Sequence, residues 1–482
     1  MHGESVESFK KILKHQKQFT SKEASETNHN VLFMLGKILH LDTVRPSSKI
    51  KGIPGGYTYF GQFIDHDLVL SQDSCTNLNN EKKGCDSEWF EHYKICRKVG
   101  LNLNPVYAGN DNWCKCCGKL LFRTESSPNT CQGEAIDIPR NFEKRISLIP
   151  DKRNDENWLV AQLHLQFIKL HNKFCDLDVE SKNSYQKFDK SKSKCIQVYR
   201  QIIKNDYLKR ILSEDVYQFV IDDKSTLRSL KNWSRETANN SSKLQLIFEK
   251  AAFRFGHTMV RESYILRKSS NSIPLRMDID ELFRFSMNGA RKNNISNKSH
   301  VVEWDMLFDG YSFNESHPVF PAIRFKLPLL TCPENHLAIR NLIRGEFYEL
   351  PSFNRVCLEI KSSLDEHIGN PFSTKIQRHF DHIIESAGQL SPKFFEPLIY
   401  HLKENQIFDI VSEHCPLWLG ILCEAYFCKK DNMEFEKMLG PAGSLLVAAY
   451  IACFFINDEI DNPELISLNT MQKLQAFLLL TK

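Results

Sequence analysis

Four short stretches carry residue types that acid–base and metal chemistry use. In Gly61-Gln62-Phe63-Ile64-Asp65-His66-Asp67-Leu68 an imidazole is flanked by two carboxylates. A neutral histidine takes and returns protons near neutral pH, so His66 is a candidate general base. Alone, an Asp-His-Asp triplet is weak, because most such triplets are surface loops. In Ala252-Phe253-Arg254-Phe255-Gly256-His257-Thr258 a histidine lies among bulky apolar residues. A buried neutral imidazole can give its in-plane lone pair to a metal, or it can be a core histidine satisfied by one hydrogen bond. Arg153-Asn154-Asp155-Glu156-Asn157 opens a helical pattern. Its acids suit a helix start, whereas the helix dipole disfavours Arg153 there, so something else wants it. Asn341-Leu342-Ile343-Arg344 sets a side-chain amide one turn from an arginine. By itself this pair says little.

These residues need elements to hold them. Leu159, Leu163, Phe167, Leu170 and Phe174 recur at three- and four-residue spacing, which predicts a long helix after Pro150 with Asn154 or Asp155 as its cap. The same spacing predicts helices over Tyr199–Tyr207 and Phe248–Arg261; a further helical stretch follows Pro333 at Leu337–Phe347, and helices also fit Phe380–Gly388 and Trp418–Phe427. Val31–Leu41 reads as a short amphipathic segment. Ile53-Pro54-Gly55-Gly56 reads as a turn, since Pro and Gly together break helices. Long alternating strands are scarce, and no internal repeat is found. The expected architecture is mainly α. A loosely held leader covers residues 1–28, and one large helical domain covers 29–460. Within that domain lies a Cys-, Asn- and Gly-rich loop excursion over 71–135, and a tail covers 461–482.

Composition narrows the function classes. The 482 residues are 41% hydrophobic and 25% charged, an ordinary globular mixture. A formal net charge of only +4 gives no concentrated basic face for nucleic acid and no polybasic membrane anchor. The apolar run Leu445–Ile456 is too short to span a bilayer and predicts a buried core helix. The N-terminal residues show no signal-peptide pattern. The fifteen cysteines are odd in number, so reduced thiols in an intracellular protein are the expectation. Sequons such as Asn232-Trp233-Ser234 and Asn294-Ile295-Ser296 do not overturn this in an Asn-rich chain.

Taken together the motifs resemble the animal-type haem peroxidase family, part of the peroxidase–cyclooxygenase superfamily, and its short bacterial members more than secreted vertebrate enzymes. YTYFGQFIDHDL (57–68) is similar to the family's distal-histidine motif, and RNDENWLVAQLHLQFIKLHNKF (153–174) to its distal-arginine helix. AFRFGHTMVR (252–261) is similar to its proximal-histidine helix, and NLIRG (341–345) to its proximal-asparagine motif. Pro416-Leu417-Trp418-Leu419 and Leu439-Gly440-Pro441-Ala442-Gly443 match its C-terminal signature. Order and spacing agree over about residues 29–458.

The resemblance implies a single helical domain holding haem b. His66 would be the distal base, Gln62 a hydrogen-bonding partner in the distal pocket, and Arg153 a fixed charge favouring peroxide binding and hydroxide departure. His257 would be the iron ligand, with Asn341 accepting its other ring N–H. Arg254 and Arg344 would pair with the haem propionates. Asp65 and Glu156 match carboxylates that can form esters with haem methyl groups, whereas Asn157 stands where relatives carrying a sulfonium link have Met.

The implied reaction is reduction of hydrogen peroxide with oxidation of a small reductant or halide. Two other readings are an inactive peroxidase-like adhesion or binding scaffold and a fatty-acid oxygenase. The scaffold predicts decay of His66, Arg153 and Gln62, all of which are present. The oxygenase places a radical-forming Tyr three residues before the proximal His, where this chain has Arg254. The family's calcium stretch aligns with Leu101–Ala108, where Asn102 and Asn104 replace acids. Asp67 then remains as a calcium ligand in at most a weak site. The cluster Cys114-Lys115-Cys116-Cys117 with Cys131 is foreign to the family pattern. Its spacing reads as poor for zinc, and reduced structural or redox thiols are expected, with a zinc-binding interaction module as the competing reading.

Overall fold

The computed structural model describes residues 22–41, 43–44, 52–70, 87–141, 146–222, 241–268, 274–286, 297–309, 312–323, 336–365, 371–385, 388–430, 438–455 and 463–480. Helices dominate, as the three- and four-residue spacing predicts. The strands described are one antiparallel pair, β1 (Ser263–Arg267) and β2 (Leu275–Asp278), with an irregularity in register between Ile265 and Arg267. The chain gathers into two compact units, each drawn from three stretches. Among the described residues no helix is long and apolar enough to cross a membrane.

The first unit comprises Met1–Ile53, Leu208–Val260 and Ser316–Asn457. Its principal helices are α1 (Lys22–Ile38), α6 (Ser241–Lys250), α7 (Leu337–Phe347), α8 (Phe353–Asp365), α9 (Pro371–Ile383), α10 (Leu417–Lys430) and α11 (Pro441–Ala452). α1 starts ahead of the segment expected at Val31, and residues 1–21 of the expected leader lie outside the described residues. Every residue of α11 is buried, which bears out a core helix, although Ile456 lies outside the described residues. Pro441 opens it where no N–H is needed. The buried Glu424 carboxylate accepts the next two N–H groups, of Ala442 at 3.0 Å and Gly443 at 3.1 Å, a favourable place for a negative charge. The helix expected over Phe248–Arg261 is broken. α6 stops at Lys250, Ala251 leaves helical geometry (φ −136, ψ −62), and a 3-10 turn spans Ala252–Thr258. Three residues per turn aligns Arg254 with His257 on one face.

The second unit comprises Pro54–Tyr207, Arg261–Glu315 and Asp458–Lys482. It holds α2 (Gly56–Leu68), α3 (Ser87–Cys96), α4 (Trp158–Leu177), α5 (Ser184–Ile202), the β1–β2 pair and α12 (Met471–Leu479). The Pro-Gly expected to break the chain instead leads directly into α2, because residues ahead of a first turn need not supply helical N–H groups. A Cβ on Gly61 would come within 2.5 Å of the Tyr207 hydroxyl, so only glycine lets α2 approach that ring. α4 buries its apolar face and also Gln162, His164 and His171, so it is an internal helix. In the excursion, residues 71–86 lie outside the described residues. The rest is α3, a short turn at Asn104–Tyr107 and isolated bridges Trp113↔Leu120, Phe122↔Thr130 and Arg123↔Asp137.

Candidate active site

In the second unit the chemistry is organised around the C-terminus of α2. The last carbonyls of a helix have no intrahelical partner. Here two guanidinium groups take them. Arg153 donates from Nη2 to His66 O (2.7 Å) and from Nη1 to Val69 O (2.8 Å). Arg97 Nη2 donates to Asp67 O (2.8 Å) and Leu68 O (2.9 Å). Cations suit the negative end of the helix dipole. Arg153 is also gripped side-on by the buried Asp151, Nε to Oδ1 at 3.0 Å and Nη2 to Oδ2 at 2.7 Å. Four of the five guanidinium N–H groups are thus committed. Arg153 is expected to supply a fixed charge for peroxide; in the structure that charge is paired with Asp151, and its remaining bonds hold the backbone of His66 and Val69.

His66 itself is 5% exposed. Its Nδ1 lies 2.7 Å from Asn154 Oδ1, and Asn154 Nδ2 lies 3.1 Å from Nδ1 of the buried His164. The amide so oriented accepts Nδ1–H from His66 and donates to His164. This leaves Nε2 of His66 unprotonated, and among the described residues it has no hydrogen-bond partner. Burial, helped by the Arg153 charge and opposed by Asp151 and Asp65, pushes the imidazole down to about 4. Gln62 lies one helical turn earlier on the same face of α2. Its Oε1 accepts from Asn157 Nδ2 at 3.2 Å, so its own amide N–H groups remain available. Asn157, not Asn154 or Asp155, caps α4, with Oδ1 accepting Val160 N–H at 3.0 Å. Asp155 instead pairs with Arg140 at 2.8 Å. Asp65 and Glu156 are both half-buried.

In the first unit His257 is half-buried on its 3-10 turn. Desolvation, with Arg254 and Arg344 nearby, holds its imidazole well below the usual range, hence neutral. Its Nδ1 lies 3.0 Å from Asn341 Nδ2, while Arg344 Nη1 donates to Asn341 Oδ1 at 3.3 Å. The pairing of His257 with Asn341 is as expected, but the amide is turned the other way. Arg344 claims the oxygen, so the nitrogen faces the ring. Arg254 Nε donates to Glu249 O at 2.8 Å.

The sequence profile of the animal haem peroxidase family matches residues 114–299, a span that includes Arg153 and His257. Over those residues the chain is similar to the animal haem peroxidase family. Solved structures agree at the level of fold. Peroxidase A from Dictyostelium discoideum is similar with a TM-score of 0.51 at 14% identity, covering 93% of this chain and 88% of that one. The fatty acid alpha-dioxygenase of Arabidopsis thaliana has a TM-score of 0.51 at 14% identity, covering 93% and 72%. Among curated proteins none matches the sequence.

Haem is the cofactor of animal haem peroxidases, and the residues of the first unit fit it. A Cβ built on Gly256 or on Gly345 would meet nothing within 4 Å, so open space adjoins both His257 and Arg344. Nε2 of His257 has no hydrogen-bond partner among the described residues. Ligation through Nε2 requires the Asn341 amide to rotate half a turn, so that its oxygen accepts Nδ1–H. Calcium does not fit. Asp67 Oδ1 accepts from Asn104 N (2.7 Å) and Asn104 Nδ2 (2.7 Å), and Oδ2 accepts from Leu103 N (3.0 Å). N–H donors hold the lone pairs a cation would use, and burial pushes this carboxyl up to about 6. The expected Asp67 ligand is therefore a structural acceptor for the 103–104 turn.

Residues missed in the sequence were Asp151, Asn154 and Arg97. Asp151 pairs with Arg153 two residues on, but Asn154 meets His66 88 residues away and Arg97 meets carbonyls 29 and 30 residues back, and spacing carries no signal of those two.

Proposed function

We propose that this chain is a haem-dependent peroxidase that reduces hydrogen peroxide while oxidising a small reductant or a halide. The observation that carries the reading is His66: buried, neutral, with its proton fixed on Nδ1 by Asn154 and Nε2 left as a base. When bound, haem supplies the redox chemistry by which peroxide accepts two electrons. The protein residues supply the rest. His66 Nε2 takes a proton from peroxide and returns it to the departing oxygen. Gln62, held by Asn157, offers an amide N–H to a peroxide oxygen. Arg153, paired with Asp151, keeps His66 in place. His257 would hold the iron, and Arg254 and Arg344 would take the propionates.

The fatty-acid oxygenase reading draws on likeness to an alpha-dioxygenase at the level of fold alone. Position 254 opposes it, being a guanidinium bonded to Glu249 O. The reading is tested at the ligand. His257→Ala should lose haem while the wild type retains it through gel filtration, because one axial imidazole is the strong protein–iron bond expected. An unchanged Soret band in the variant would remove His257 from the account.

The ester links remain part of the proposal, with Asp65 and Glu156 as the carboxylates and no sulfonium, since Asn157 cannot form one. Acidic organic extraction after peroxide treatment should leave haem on the wild type and release it from the Asp65→Val, Glu156→Gln double variant. Complete release of unmodified haem from the wild type would end the ester proposal.

A further inference from the structure

The Cys114–Cys131 cluster plays no part in the chemistry above, and the fold gives it a defined form. The spacing of the cluster as a whole is poor for zinc, with a zinc-binding module as the competing reading, yet Cys114 and Cys117 are themselves a C-x₂-C pair. The structure builds a tight turn on that pair. Trp113 and Leu120 bridge at its base. Cys114 N–H donates to Lys119 O at 2.7 Å, and Gly118 N–H to Cys114 O at 2.9 Å. Gly118 takes φ +80, and a Cβ there would come within 2.7 Å of Ser184 O, so both backbone and space demand glycine.

Cys131 completes the set from the next bridged segment, directly after Thr130, which pairs with Phe122. The Sγ atoms of Cys114, Cys117 and Cys131 all lie within 4.8 Å of one another, and Cys117 Sγ to Cys131 Sγ is 3.9 Å. Tetrahedral zinc with Zn–S bonds of about 2.3 Å separates its sulfurs by roughly 3.8 Å. A disulfide needs its two sulfurs at about 2.05 Å and would leave the third thiol over. We propose that Cys114, Cys117 and Cys131 bind one zinc ion as thiolates, with an exchangeable fourth ligand. Among the described residues no further His, Cys, Asp or Glu joins this group, which is why the fourth position is assigned to solvent.

The site has work to do in the fold. The described residues 113–137, in and next to the excursion, pair through isolated bridges in place of a sheet, and metal cross-links stabilise such segments. The turn is fastened to α4 by Asn172, which accepts Leu120 N–H at 2.7 Å and donates to Leu120 O at 2.9 Å, and by His171 Nε2 at 3.0 Å from Gly118 O. Zinc would thus tie the 130–131 segment to a turn already docked on α4.

The test is metal content. Protein purified with reductant, reconstituted with zinc and dialysed should hold one zinc per chain. Cys117→Ser and Cys131→Ser should lose it, while Cys116→Ser, an exposed neighbour outside the triad, should keep it. Cobalt substituted for zinc should give thiolate-to-cobalt charge transfer in the wild type and in Cys116→Ser alone. Titrating the folded wild type with a mercurial should release the zinc, which keeps the test valid if a variant misfolds. Zinc at the buffer-blank level in the reconstituted wild type would overturn the proposal. So would undiminished zinc in Cys131→Ser, or a disulfide within the triad in protein kept under reductant.

Discussion

At the scale of single residues the account turns on which atoms are already occupied. Arg153 reads in sequence as a fixed positive charge for an anionic peroxide. In the fold its fork is spent on Asp151 and on the end of α2. His66 looks like one histidine among acids, and in the fold it is a base of fixed tautomer. A depressed histidine stays neutral, and so competent as a base, at every pH above its own value, and loses competence only as pH falls through it. With His66 at about 4, and with Arg153, Asp151 and Asp65 around it, the rate of reaction with peroxide should be level from neutrality down to about pH 5. It should then fall about tenfold per unit below about pH 4. Rapid mixing across that range checks this. An acid limb near the ordinary histidine value would mean that His66 is hydrated or is not the base.

At the scale of elements, the junction of α2 with the start of α4 sets the geometry. Gln62 and His66 share a face because they are four residues apart on one helix. Asn157 serves two ends at once, capping α4 through its oxygen and holding Gln62 through its nitrogen. Two substitutions separate these roles. Asn157→Ala should cost about 1 kcal/mol as a lost cap. Asn157→Asp keeps the capping oxygen, so stability should hold, but it removes the donor and forces the Gln62 amide to turn. Thermal unfolding should therefore distinguish Ala from wild type but not Asp. The peroxide reaction should slow several-fold in both. An unimpaired Asp variant would take Gln62 orientation out of the mechanism.

At the scale of the molecule, much was legible in the sequence because it is carried by local pattern. The three- and four-residue spacing marked α4, and the motifs around His66, Arg153, His257 and Asn341 carried the resemblance to the animal haem peroxidase family. What was not legible depends on partners far apart. The partner of Asn154 is 88 residues away, and Asp67 meets the 103–104 turn 36 and 37 residues on. The break at Ala251 carries no Pro or Gly to announce it. Two histidines in different stretches are proposed to serve one reaction, and they should fail in different ways. His257 decides whether haem stays, and His66 decides how fast peroxide reacts. The most direct measurement is therefore a rapid-mixing absorption trace of haem-loaded wild type and His66→Ala with peroxide. The account predicts equal haem content in both proteins, a Soret shift in the wild type, and a reaction slower by about 10² to 10⁴ in the variant. Wild-type kinetics in His66→Ala, or a haem-loaded wild type that does not respond to peroxide, would contradict it.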